Sequence, residues 1–174
     1  MVLESPFTEK RSALTNYEQA RAVNTALSKA NSYWARNRVF GANENLLGRS
    51  ASALAIALDG ADLIYATVVV PEDPKGTVIV WAYSSDALFV AEASSETCTV
   101  QVVPRSALKR IDLISTPNYF PTTNWSDSEE DVRLKLHYPG MTVYLPAEDR
   151  NSSEIAREGV AALYASLLKD LLGG

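Results

Sequence analysis

Between positions 63 and 145 the chain passes through seven short β-type runs separated by tight turns. No other feature narrows the possible folds as much. Strands this close in sequence leave no room for crossover helices, so they pair as antiparallel hairpins. Leu63–Val70 (LIYATVVV) is rich in β-branched residues and stops at Pro71. The turn Asp73-Pro74-Lys75-Gly76 leads into Thr77–Tyr83, and Ser84-Ser85-Asp86 leads into Ala87–Ala93. Cys98–Val103 is the fourth run. Lys109–Ile114 reads as the fifth, with Ile111 and Leu113 inward and Leu108 out of phase just before it. The sixth is the cleanest: Val132, Leu134, Leu136 and Tyr138 alternate with Arg133, Lys135 and His137, which gives one buried and one wet face. Pro139-Gly140 suits the central positions of a type II turn, and Met141–Leu145 returns as the seventh strand.

Helices flank this region. Thr15-Asn16-Tyr17-Glu18 is a capping-box pattern. Behind it Val23, Ala26, Leu27, Ala30, Tyr33 and Trp34 fall at helical spacing and predict one amphipathic helix over 16–36. A second helix is expected within 44–58, before the turn Asp59-Gly60. After the strands, Asn151 or Ser152 is the expected cap of a last helix, with Glu154 in its first turn. Its stripe is Ile155, Val160, Leu163, Tyr164, Leu167, Leu168 and Leu171, wide enough to require a surface to cover. The stretch 115–131 has turn residues and no period, and reads as a long loop.

The expected class is therefore α+β: an N-terminal helical extension over 1–60, then over 61–174 a seven-stranded antiparallel sheet or barrel capped by a C-terminal helix. The run from Asp62 to Leu172 resembles the pleckstrin-homology (PH) superfold, including the bacterial PH-like and GRAM-like domains. Three stretches carry the resemblance. Val78-Ile79-Val80-Trp81-Ala82-Tyr83 with Asp86-Ala87-Leu88-Phe89-Val90 is similar to the second hairpin. VPRSALKRIDL (Val103–Leu113), with Leu108, Ile111 and Leu113 as its apolar positions, is similar to the segment entering the fifth strand. Val132–Leu172 is similar to the closing hairpin and helix. Eukaryotic members usually carry a Trp in that helix, where this chain has Tyr164. The alternative architecture is the helix-grip, START-like fold, which begins with a strand; Met1-Val2-Leu3 is a poor one.

Phosphoinositide binding, the best-known use of that superfold, needs cations in the first hairpin loop. Here that loop, Pro71 to Gly76, holds Lys75 against Glu72 and Asp73, so no specific phosphoinositide affinity is expected. The net charge of −5 is uneven. Residues 1–40 carry six basic and three acidic side chains, a net of +3, which leaves −8 for the rest. Such a sheet domain is not expected to bind nucleic acid. A single cysteine (Cys98) excludes an internal disulfide, and a single histidine (His137) excludes a multi-histidine metal centre. No cofactor or metal is expected. The absence of a basic n-region with an apolar core at 1–12 suggests a cytoplasmic protein.

The leading functional expectation is a non-catalytic module for protein–protein interaction or self-assembly, with the 16–36 helix as a surface for a second copy. The candidate binding residues are Tyr119, Phe120 and Trp125, of types enriched at interfaces, with the basic Arg105, Lys109 and Arg110. The two sets of residues also suit anchoring of the long loop and pairing with its acidic cluster Asp127, Glu129, Glu130 and Asp131. Arg133, Lys135 and His137 form an anion strip along one strand, or an ordinary solvated sheet face. A second expectation is a carrier of a small apolar ligand in a helix-gripped cavity. A third is a hydrolase or lyase using His137, which would need that side chain in a cleft beside Ser, Asp or Glu.

Overall fold

Seven antiparallel strands form, and they divide into two sheets rather than one sheet or a closed barrel. The computed structural model describes residues 16–36, 46–71, 73, 75–116 and 131–173. The first sheet has the order β1-β2-β3-β4, from β1 (Tyr65–Val69), β2 (Val78–Tyr83), β3 (Ala87–Ala93) and β4 (Cys98–Pro104). The second has the order β5-β6-β7, from β5 (Arg110–Ser115), β6 (Arg133–Tyr138) and β7 (Met141–Leu145). A single 3-10 turn, Arg105–Ala107, joins the sheets. Gly140, at φ 75°, takes the position of the β6–β7 turn that requires a positive φ.

The first sheet is apolar on both faces, which explains why β1 to β3 read as near-continuous hydrophobic runs. Val68, Val80, Ala82, Phe89 and Ala91 pack against the helices α1 (Asn16–Ala30), α2 (Ser32–Arg36) and α3 (Leu46–Leu58). Tyr65, Tyr83, Leu88 and Val103 face the other way, into a core shared with Leu134, Leu136, Val143 and Leu145 of the second sheet. The C-terminal helix α4 (Glu154–Leu172) closes that core with Val160, Leu163 and Leu167. The N-terminal helices are thus one layer of a shared core. No helix among the described residues is long and apolar enough to cross a membrane.

Several local expectations are corrected. The helix over 16–36 is two helices, broken at Asn31. Periodicity runs through the break, but tertiary hydrogen bonds impose it: Ser32 N–H donates to Asn151 O at 3.0 Å and Ser153 N–H to Ala30 O at 2.9 Å. Its apolar residues Val23, Leu27, Ala30 and Trp34 are buried within the chain. The N-cap of α4 is Ser153, whose side chain accepts from Ala156 N–H, and not Asn151 or Ser152. Ile155, expected on the apolar stripe of α4, is exposed, and Ala156 takes the inward position. Leu113, expected inward, shares a face with its β6 partner Leu134 but is 46% exposed, because β5 pairs only with β6 among the described residues and is open on its other side; Leu108 is the buried residue of that segment. Position 15, in the capping-box motif, lies outside the described residues.

Candidate functional site

Alternation along β6 puts Leu134, Leu136 and Tyr138 in the core and turns Arg133, Lys135 and His137 outward. Pairing with β5 sets Arg110 opposite His137 and Asp112 opposite Lys135. Asp112 is the hub of this face: its Oδ2 accepts from Arg110 Nη2 at 2.8 Å and from His137 Nε2 at 2.8 Å. A carboxylate can only accept, so Nε2 carries the imidazole hydrogen and the lone pair of the neutral ring lies on Nδ1. The Arg110 bond, aided by that from His137, holds the Asp112 carboxyl down at about 2, below its usual 3.8. Lys135 Nζ lies 5.6 Å from the Tyr144 ring centroid, a cation–π contact on the same face.

The expected residues therefore separate. Arg110, Lys135 and His137 share one exposed sheet face, and Lys109 is exposed beside them, its N–H donating to His137 O at 2.8 Å. Arg105 does not join them. It is 3% exposed, and its guanidinium is engaged by Asp170 Oδ2 (2.7 Å from Nε), Ser166 Oγ (2.6 Å) and Ser84 O (3.0 Å). It clamps α4 to the junction between the sheets and has no free edge for a partner. Tyr119, Phe120 and Trp125, with Asp127, Glu129 and Glu130, lie outside the described residues. His137 has the carboxylate neighbour that acid–base catalysis would need, but Arg110 shares that carboxylate and the group sits on an exposed face.

Arg133 leads elsewhere. It lines a cleft of about 500 Å³ between the end of β5–β6 and the start of α4. Ser115, Asp131, Glu148, Asp149, Ser152 and Arg157 lie around the same cleft. Asp149 belongs to the scaffold. Its Oδ2 accepts from Val70 N–H (2.8 Å) and Asn31 Nδ2 (3.1 Å), and its Oδ1 from Asn151 N–H (2.7 Å). Arg157 Nε lies 3.4 Å from Asp131 Oδ2. The only sequence signal for this site was the polar run Glu148-Asp149-Arg150-Asn151, which resembles any strand-to-helix connection. Its convergence with Arg133 and Arg157 is tertiary.

Comparison with known proteins finds no matching family model, no similar curated protein and no similar solved structure.

Proposed function

We propose that the chain is a non-catalytic, PH-like binding module that engages a partner protein along the free edge and outer face of β5–β6–β7. The observation that carries this reading is the character of β5. It pairs only with β6 among the described residues, and it presents Leu113 and Ile114 at 46% and 51% exposure, beside the cations Lys109 and Arg110. An extended segment of a partner adds main-chain hydrogen bonds along such an edge, while the apolar side chains supply contact area. The cations favour a partner segment with acidic residues. The bulge between Leu113 and Ser115 works against indiscriminate edge-to-edge pairing. Four strands, then three, then a closing helix is the order expected of the PH-like architecture, and it supports that assignment.

The space beneath α4 is filled by Leu134, Leu136, Leu145, Val160 and Leu167, which favours a surface site over a helix-gripped cavity. The apolar residues Val23, Leu27 and Trp34 of α1 and α2 are covered by the rest of the chain, which favours the β5 edge over this face as the binding surface. The test is affinity purification with the full chain beside Ile114→Lys and Arg110→Glu. Both side chains are exposed, although Arg110→Glu also gives up the bond to Asp112, so thermal melts first establish that each variant is folded. A partner retained by the parent and lost from both variants supports the reading. A set of bound proteins unchanged by either substitution refutes it. A co-purifying lipid or hydrophobic metabolite in native mass spectra would favour the carrier instead.

A further inference from the structure

The cleft between β6 and α4 is lined by both signs of charge, Arg133, Arg150 and Arg157 with Asp131, Glu148 and Asp149, and its walls neutralise only part of them. Arg133 makes no ion pair or hydrogen bond among the described residues, and neither does Glu148. Both are exposed. Arg157 and Asp131 are joined only by the Nε contact at 3.4 Å, which leaves the terminal nitrogens of Arg157 and Oδ1 of Asp131 without a partner among the described residues. Ser152 Oγ, on the same wall, is buried and has no hydrogen-bond partner among the described residues. Ser115 Oγ donates to Asp131 O at 2.7 Å and keeps its lone pairs. The first turn of α4 borders the cleft through Arg157, adding the positive end of a helix dipole. A buried hydroxyl without a partner and two guanidinium groups with open forks are suited to a carboxylate. Glu148 and Asp131 are suited to an ammonium group.

We propose that this cleft binds a small zwitterion of the α-amino-acid type, with its carboxylate between Arg133 and Arg157 and its ammonium group toward Asp131 and Glu148. A plain anion would meet Glu148 and Asp131, and a plain cation would meet Arg133, Arg150 and Arg157; only a ligand with both charges complements both sets. A volume of about 500 Å³ lies in the range of small-molecule sites. Asp149, saturated by its four donors, shapes the wall and leaves the ligand to the others.

This inference stands apart from the partner reading: Ile114 lines this cleft as well as the β5 edge, but Leu113, Lys109 and Arg110 lie outside it, and none of the variants below alters that edge. The experiment is isothermal titration of the full chain with each free proteinogenic L-amino acid, alongside acetate, methylammonium and inorganic phosphate. At least one amino acid should bind, and bind more tightly than acetate or methylammonium. Arg133→Ala and Glu148→Gln should each weaken it by about tenfold or more, as expected for loss of a charge-assisted contact. Arg133→Lys, which keeps the charge and loses the fork, should fall between Arg133→Ala and the parent. Thermal melts of the three variants should match the parent, and amide shifts on binding should centre on Ser152 and Arg157. The proposal is overturned if no amino acid binds, if acetate or phosphate binds as tightly as the best amino acid, or if folded variants bind like the parent.

Discussion

Replacing Asn31 by Ala should be among the most damaging single substitutions in this protein, although it deletes only a small polar side chain. Asn31 is 0% exposed. Its Oδ1 accepts from Tyr33 N–H at 2.8 Å and Trp34 N–H at 3.2 Å, capping α2. Its Nδ2 donates to Val68 O at 3.2 Å and to Asp149 Oδ2 at 3.1 Å. One side chain thus ties the N-terminal helices to the first sheet and to the loop before α4. Loss of an N-cap costs about 0.5–2 kcal/mol. Each of the two donated bonds contributes about 0.5–1.5 kcal/mol net. Asp149 keeps its bond from Val70 N–H, so no charge is stranded. The expected loss is about 3 kcal/mol, a fall of roughly 6–12 °C in Tm for a chain of this size. Urea denaturation and calorimetry measure both quantities. Asn31→Asp keeps the cap acceptor but loses the donors and faces Asp149, so it should be no better than Ala. Ser32→Ala removes only an exposed contact of 3.5 Å and should cost less than about 0.5 kcal/mol. A loss below about 1 kcal/mol for Asn31→Ala would refute the role given to this residue.

Arg105→Met should destabilise by about 2–4 kcal/mol in chemical denaturation. It leaves Asp170 without its partner and Ser84 O without its donor, although Asp170 is open enough to rehydrate in part. Tyr83→Phe should cost little, because among the described residues the buried Tyr83 hydroxyl has only the Tyr138 hydroxyl beside it and no partner in good bonding geometry; a clear loss would reveal a bond between the two hydroxyls. In a carbon-detected NMR titration the Asp112 carboxyl should titrate at about 2 and move up toward 3.8 in Arg110→Ala. The sign follows from a folded value below the unfolded one. The contribution of Asp112 to stability is present above about pH 4 and is lost as pH falls toward 2.

Strand identity was readable where one local rule sufficed. β3 is Ala87–Ala93 as expected, because Ser84-Ser85-Asp86 marks its start, and β6 alternates because only one of its faces is buried. The runs in β1 and β2 were readable as strands but did not say what covers them, since burial on both faces erases alternation. The missing layer proved to be the helices before them. Leu113 faces the side its alternation indicates, but its exposure depends on β5 being the edge of the sheet, which the alternation of one strand does not carry. The break at Asn31 and the burial of Arg105 were hidden for a different reason: their partners lie 118 and 65 residues away. The candidate sites divide in the same way. The strip Arg133–Lys135–His137 was visible as a pattern, but Asp112 as its hub depends on strand register, and the cleft draws on β5, β6, the loop before α4 and α4 itself.

The clasp between Asn31 and the segment from Asp149 to Ser153 has a consequence for synthesis. The helices are translated first, yet the groups that fix the end of α1 and the start of α2 are among the last third of the chain to be made. At about 5–20 residues per second, some 118 residues of delay amounts to roughly 6–24 s. Through that interval the helices have only each other, then a partial sheet, to shield Val23, Leu27 and Trp34. The native junction at Asn31 cannot form until the segment through Ser153 has been made. Among the described elements, α1 and α2 therefore wait longest for their final contacts, and they are the surfaces a chaperone would have to shield in that interval.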